Sequence, residues 1–406
     1  MAKAIAYLAY GGAERTVFDS QVVNFLKKIN GRGVAPQLFV FHPWKDFLFN
    51  RPYIAQKKRE CLEATGQAPV FLPRVPRNML GLNTGQLKRA VGEGASVIHA
   101  RGFQSAALAL ALKKSRPGIK VILDCRGLEA QEYALILEGE KKRRPTAIDR
   151  RWLETLRTLE RETTTQADHI FCVSESLKRH LIAHYGAVPQ RIDVIPCCVD
   201  LDRFDQTQKT RDELRKKLGI GNRLTLIYAG SIRAWQPARW LAIALSAIKK
   251  LNPASCLLIL TPDRADAEEA LRLEGCSPDD YRILTTSHES TPEYLAAADI
   301  GLLIRPLHIV NQVACPTKAG EYLAAGLMIL GTAHPEDLAV LINKEKVGRV
   351  VAAPDDQRGL EQALRELRAQ LSTDADSWRQ RARNIAKTDF GWETYLPVIL
   401  KRYDSL

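Results

Sequence analysis

Apolar residues fall into short runs separated by longer stretches in which they recur at every third or fourth position. The runs Ala4–Ala9, Gln37–Phe41, Val70–Leu72, Ser96–His99, Lys120–Leu123, His169–Val173 and Asp193–Ile195 predict strands. Between most of them the spacing predicts helices, the first over Ala13–Ile29 with Val17, Val22, Phe25, Leu26 and Ile29 on one stripe. This alternation is the signature of a parallel sheet with helices on both faces. The polar, basic stretch Glu129–Gln166 reads as one or two exposed helices inserted before the Ile170 strand.

After Phe204 the pattern starts again. Gln206–Gly221 is polar and charged and reads as a linker with a short helix. Six strands follow at Leu224–Ala229, Cys256–Leu260, Arg282–Leu284, Ile300–Ile304, Met328–Gly331 and Gly348–Val351. Helices are predicted at Pro237–Lys250, Thr317–Ala325, Gln357–Leu371, Asp376–Lys387 and Trp392–Tyr403. The expected fold is α/β, with two Rossmann-like doubly wound domains and ligands at the carboxyl ends of the strands. Two such domains facing each other put the site in a central cleft.

Composition narrows the classes. The 406 residues are 46% hydrophobic and 26% charged, ordinary for a globular protein. No apolar run approaches the roughly 18 residues that a bilayer span requires. The eight cysteines form no C-x-x-C pair and no small-residue cleavage site follows the N-terminal strand, so a reduced, cytoplasmic protein is expected. The net charge of +13 is unevenly spread. Residues 1–200 hold 31 basic against 19 acidic side chains, whereas residues 201–406 hold 28 against 27. The first half is therefore suited to an anionic partner, with nucleic acid, a membrane surface and an acidic substrate as the candidates. Lys57-Lys58-Arg59, Lys141–Arg144 and Arg150-Arg151 are its densest clusters. The first two lack nearby aromatic platforms of the kind single-strand nucleic-acid binders use.

Three motifs carry candidate chemistry. Tyr10-Gly11-Gly12-Ala13-Glu14-Arg15 follows the first strand, where two glycines let a ligand approach the backbone and a helix N-terminus favours an anion. It is neither the dinucleotide fingerprint nor a P-loop. Ile227–Gln236 opens the second half similarly, with the turn Gly230-Ser231 and with Arg233 beside it. Cys315–Gly326 predicts a short helix, with Pro316 at its first position and Gly326 at its stop. Within it, Lys318 and Glu321 are spaced i,i+3. They read either as a surface ion pair or as a division of labour, the lysine on a phosphate and the carboxylate on two sugar hydroxyls. No zinc spacing and no nucleophile elbow is present.

In the order and spacing of these motifs the chain resembles the retaining glycosyltransferases of family 4, with their two-domain GT-B architecture. Gly11-Gly12-Ala13-Glu14 resembles the family's glycine-rich loop. Phe171–Glu175 and Ile195–Phe204 resemble the segments that close its first domain. Gly230–Arg233 sits where the family holds the donor diphosphate, and Pro316–Gly326 resembles its donor-binding helix. The resemblance implies an acceptor-binding domain over 1–205, a donor-binding domain over 206–390 and a last helix, 391–406, crossing back to the first.

Four departures stand out. Position 313, eight before Glu321, is Val313 where many members carry a first glutamate. Ala234 stands at a usual lysine, Cys197-Cys198 at a usual Asn-Gly, and Asp124-Cys125-Arg126-Gly127 at a usual His-Asp. His99 and Arg126 lie near strand ends and are candidate cleft or acceptor residues; a structural role for His99 is an equal alternative.

The implied activity is hexosyl transfer with retention from a nucleoside-diphosphate sugar to a lipid-linked or glycan acceptor at the cytoplasmic membrane face. No covalent intermediate and no metal are expected. Lys318 and Arg233 are the expected catalytic cations. Gly11, Gly12, Gly230, Ser231, Pro316, Thr317 and Glu321 are the expected donor contacts. The base is expected near Ser287–Glu289, and an anionic membrane is the expected partner of the basic half. The alternatives are a nucleotide-sugar epimerase of the same architecture, a non-catalytic nucleotide-sugar-binding subunit and, with less support, a nucleic-acid binder.

Overall fold

A computed structural model describes residues 4–13, 16–75, 80–139, 144–205 and 208–406. The chain divides into two compact units. The first comprises Met1–Ala134, Arg144–Pro196 and Trp392–Leu406, and the second Leu135–Arg143 and Cys197–Gly391.

The first unit is built on seven strands: β1 (Ile5–Tyr10), β2 (Gln37–Pro43), β3 (Val70–Arg74), β4 (Val97–Arg101), β5 (Lys120–Cys125), β6 (His169–Cys172) and β7 (Ile192–Val194). All pairings are parallel, in the order β3-β2-β1-β4-β5-β6-β7. Ile5 to Ala9 are all buried, as a central strand covered on both faces requires. The order reverses between β1 and β4, so the carboxyl ends of these two strands flank the switch point.

The stretch expected as exposed helices is two helices, Glu129–Gly139 and Ala147–Gln166. The second is only half exposed. Trp152, Leu156 and Thr163 are buried, and Trp152 and Leu156 cluster with Ala130 of the first helix. A capping box between Thr146 and Asp149 starts it. The last helix, Trp392–Ser405, belongs to the first unit. Arg402 Nε donates to Asp193 Oδ2 at 2.5 Å, and Trp392 stacks 5.5 Å from Phe25.

The second unit has six parallel strands: β8 (Thr225–Ala229), β9 (Cys256–Leu260), β10 (Tyr281–Leu284), β11 (Ile300–Leu303), β12 (Met328–Thr332) and β13 (Gly348–Val351). Their order, β10-β9-β8-β11-β12-β13, puts the switch point between β8 and β11. Tyr322 fixes the helix Thr317–Ala324 to both strands. Its hydroxyl accepts the Ala229 N–H at 3.0 Å and donates to Leu302 O at 3.4 Å. Its ring fits because position 301 is glycine; a Cβ there would lie 2.3 Å from the ring.

The short helix expected in Gln206–Gly221 is present as Gln208–Lys217, and two arginines dock it. Arg211 donates to Ala298 O and Asp299 Oδ1, and Arg215 to Ala297 O, at 2.7, 2.6 and 2.6 Å. Charge that reads as solvated in sequence is spent on carbonyls just past the end of the helix Thr291–Ala296. The two units part between Pro196 and Cys197. Val199 N–H donates to Phe390 O at 2.8 Å, and Val199 and Phe204 join the second core.

Candidate functional site

The second unit's site grows from the turn after β8. Gly230 has φ +131°, and a Cβ there would lie 3.1 Å from Lys318 Nζ. A bare α-carbon thus lets the lysine reach over the turn. Lys318 is buried in the first turn of its helix, with Pro316 as N-cap and Thr317 as first residue. Its ammonium lies 3.9 Å from the centre of the Tyr228 ring and donates to Gln236 Oε1 at 3.1 Å. Among the described residues it makes no ion pair.

Arg305, buried just past β11, donates from Nη2 to the same Gln236 oxygen at 3.2 Å and from Nη1 to Asn311 Oδ1 at 3.1 Å. One neutral amide oxygen therefore accepts from two cations. Gln236 is itself aimed by Nε2, which donates to Ser231 O at 2.8 Å, an oxygen that also accepts from Tyr228 Oη. Burial pushes the Lys318 pKa well down, Arg305 pushes the same way, and Glu321 opposes. Such a pocket suits an anion, which would favour the charged form of the lysine.

Glu321 lies one turn further along the helix, half-buried. Burial raises its pKa while Arg203 and Lys318 oppose. Arg203 binds His288 through its ring nitrogen at 2.5 Å and through its carbonyl, tying the Ser287–Glu289 loop to the segment before it. Burial and Arg203 lower the His288 pKa to about 4, so the ring is neutral and accepts. Lys318 and Glu321 do not meet as an ion pair. Arg233 O accepts the Gln236 N–H at 2.8 Å, but the Arg233 guanidinium is engaged elsewhere. Its Nη1 is 3.2 Å from Asp263 Oδ2, and Asp263 also accepts the Ile232 N–H at 2.8 Å. Arg305, Gln236, Tyr228 and Arg203 are the residues that motif reading passes over. The one signal for Arg305 is a charge placed directly after a fully apolar strand beside the switch point.

The first unit's edge is arranged differently. Gly11 and Gly12 have φ +88° and +86°, and Gly11 N–H donates to Phe41 O at 2.8 Å. A Cβ on Gly11 would lie 2.5 Å from Arg74 Nη1, so a guanidinium absent from the motif covers this turn. Glu14 and Arg15 lie outside the described residues. At the ends of β4 and β5, Asp124 is held between Arg101 Nη1 and Arg126 Nη1, each at 3.3 Å. Arg126 also donates to Gln21 Oε1 at 2.6 Å, and Gln21 sits on a π-helical turn, Asp19–Val23. Burial alone would raise the Asp124 pKa, but Arg126, His99 and Arg101 hold it well below the usual range.

His99 is buried. Its Nδ1 shares a hydrogen bond of 2.6 Å with Tyr403 Oη, its Nε2 lies 3.6 Å from Asp124, and burial lowers its pKa. With Tyr7, Gln21, Phe25, Asp124 and Arg126 it lines a pocket of ≈ 270 Å³ of empty space, part of it open to solvent.

Among the described residues no group of three or more metal-ligating side chains is assembled, and no helix is long and apolar enough to cross a membrane. Of the basic clusters, Lys58, Arg59, Arg150 and Arg151 are exposed. Lys57 is engaged by Asp19 and Glu60, at 3.3 and 2.9 Å. Lys141, Lys142 and Arg143 lie outside the described residues.

Comparison with known proteins agrees with this layout. The "Glycosyltransferase Family 4" domain matches residues 10–203, and "Glycosyl transferases group 1" matches residues 223–370. The D-inositol 3-phosphate glycosyltransferase of Geodermatophilus obscurus is 28% identical over 156 residues, which are 36% of this chain and 34% of that protein. The chain thus spans about a third of that relative's length. HepE of Anabaena, solved in complex with UDP, superposes with a TM-score of 0.70 at 14% identity, covering 99% of this chain and 100% of HepE. WaaG, a glycosyltransferase involved in lipopolysaccharide biosynthesis, gives 0.65 at 21% identity, covering 98% of each. With matches over both halves in the expected order, and two doubly wound sheets of seven and six strands, the chain belongs to glycosyltransferase family 4 and has the GT-B fold.

Proposed function

We propose that the protein transfers a hexose, with retention, from a nucleoside-diphosphate sugar to a lipid-linked or glycan acceptor on the anionic cytoplasmic face of a membrane. The observation that carries this reading is the pair of buried cations, Lys318 and Arg305, sharing one amide oxygen at the turn after β8. A departing diphosphate gains negative charge as the glycosidic bond breaks. Fixed cations stabilise that charge without reorganising. Lys318 meets the diphosphate, the Gly230-Ser231 turn lets it come close to the backbone, and Glu321 takes the ribose hydroxyls. Arg233 is held in reserve by Asp263 and turns to the phosphates when the donor is bound. Gly12 presents its backbone N–H to the donor, and Gly11, whose own N–H is held by Phe41 O, lets the donor approach the turn. Arg126 is the acceptor-side cation. With this much positive charge in place, no divalent ion is required.

The test is a panel of nucleoside-diphosphate sugars in excess chelator, scored for binding, slow hydrolysis and the configuration of the product. One donor should bind and be cleaved with its anomeric configuration kept. Epimerised sugar in the absence of acceptor, or no nucleotide-sugar binding at all, would reject the reading. A second reading, a binding subunit without transfer, has one observation in its favour. Val313, 1% exposed, supplies no carboxylate where many relatives place one. Tight donor binding with no hydrolysis and no transfer to any glycan or lipid-linked acceptor would select it.

A further inference from the structure

The carboxyl edge of the first sheet carries a projecting apolar turn. β2 ends at Pro43, and the next residues are Trp44-Lys45-Asp46-Phe47-Leu48-Phe49. Trp44, Leu48 and Phe49 are 39, 55 and 80% exposed. Single exposed apolar side chains are ordinary, but three within six residues, Trp44 before the short helix Asp46–Phe49 and Leu48 and Phe49 on it, form a patch. Val17, 47% exposed, lies on the neighbouring helical turn. That turn is joined to the helix Arg51–Thr65 by Tyr53 Oη donating to Ala13 O and by Lys57 to Asp19.

Cations accompany the patch. Lys45 is exposed within the turn, exposed Arg51 donates to Phe47 O at 3.0 Å, and Lys58 and Arg59 are exposed about two turns along the helix Arg51–Thr65. The acids there are mostly engaged: Asp46 with His42 at 2.8 Å and Glu60 with Lys57 at 2.9 Å, leaving Glu63 exposed further along the helix. A protruding aromatic and aliphatic tip accompanied by basic side chains matches a lipid surface, whose acyl boundary takes the apolar groups while anionic headgroups face the cations. Placement supports the same occupant. β1 and β2 are paired with Tyr10 opposite Phe41, so the Gly11-Gly12 turn and Trp44 leave the sheet at one edge.

We propose that Trp44, Leu48 and Phe49 insert into an anionic bilayer surface, with Lys45, Arg51, Lys58 and Arg59 on its phosphates. The first unit's strand ends are thereby held at the membrane. This deepens the membrane-facing part of the reading above and rests on it.

The experiment is co-sedimentation of the full chain with phosphatidylcholine vesicles, with and without phosphatidylglycerol, at low and physiological salt. Donor binding and thermal melting are measured on the same proteins without vesicles. The wild type should bind the anionic vesicles and weaken with salt. Leu48→Ser with Phe49→Ser should lose about tenfold or more of that binding, since each removes several methylene equivalents from the acyl boundary. Lys58→Glu with Arg59→Glu should weaken it and flatten its salt dependence, while melting and donor binding stay unchanged. Emission of Trp44, isolated by subtracting Trp44→Phe, should shift to the blue and be quenched by brominated lipid. Vesicle binding that survives Leu48→Ser with Phe49→Ser overturns the proposal. So does a concentration-dependent dimer that this pair abolishes while the wild type ignores vesicles, because the patch is then a protein contact. Loss of donor binding in the wild type would strike the transfer reading instead, and the two failures remain distinct.

Discussion

The two sheets end in edges built from the same residue types, yet their charges are answered differently. In the first unit, Asp124 lies between Arg101 and Arg126 with His99 behind it, so a carboxylate stands among the cations. In the second, Lys318 and Arg305 converge on an uncharged amide. A buried cation answered by a carboxylate is part of the scaffold, because removing either partner strands the other. A buried cation resting on an amide oxygen and an aromatic face keeps a vacancy for a stronger acceptor. On the proposed reading the anion-binding role therefore falls to the second edge.

The hardest test of this contrast removes the carboxylate from the first edge. Asp124→Asn leaves Arg101 and Arg126 facing each other in a buried setting. It should cost about 3 kcal/mol of stability, the range for breaking a buried pair. Urea unfolding of the first unit should shift accordingly, with donor affinity nearly unchanged. A variant as stable as the wild type would dissolve the contrast.

Next comes the vacancy itself. Lys318→Ala should lower turnover about 100-fold, more than it lowers donor affinity, because the charge it meets grows in the transition state. Arg233→Ala should act in the same direction but more weakly, since Arg233 must first leave Asp263. Steady-state kinetics with the best donor separate the two, and equal losses in affinity and turnover for Lys318→Ala would make it a ground-state contact only. Glu321→Ala should leave turnover less affected and weaken donor binding by about tenfold, consistent with hydrogen bonds to a charged group.

Gln236→Glu converts the second edge into a copy of the first. A carboxylate at this oxygen pairs with both cations and competes with the phosphates. Donor affinity should fall about tenfold while the melting temperature rises or holds. An unchanged affinity would mean that the diphosphate does not use this pair.

How legible was this from sequence? The strand pattern carried the architecture because parallel strands buried on both faces leave near-continuous apolar runs, as in Leu257 to Ile259. The Lys318 and Glu321 helix was visible because its spacing is local. The convergence on Gln236 was not, since residues 236, 305 and 318 meet only once the ends of β8 and β11 and the helix Thr317–Ala324 are brought together. The π-helical turn at Asp19–Val23 lay hidden inside an expected helix. Its extra residue aims Gln21 at Arg126, a partner more than 100 positions away. Gln208–Lys217 read as a linker because charged side chains look solvated until the carbonyls they bind are in view. His99 was read equally as a cleft residue or a structural one, because its hydroxyl partner, Tyr403, belongs to the last helix.

The smallest effect expected is a proton. Burial and Arg305 hold the Lys318 pKa well below its ordinary value in the free protein. An anion at the Gln236 oxygen favours the ammonium and raises that pKa again. Donor binding should therefore take up a fraction of a proton at pH values above the free-protein pKa, and none well below it. The sign follows from linkage: the bound state holds more protons, so affinity falls as pH rises, by at most about tenfold per unit for one group. Asp124 predicts no such term, because its carboxylate is held charged across the same range. Titration calorimetry in two buffers of different ionisation enthalpy reads the uptake directly, and Lys318→Met should abolish it. Proton uptake that persists in Lys318→Met would move the titrating group elsewhere. Release in place of uptake would mean that the diphosphate meets an already charged lysine and displaces a proton from some other group.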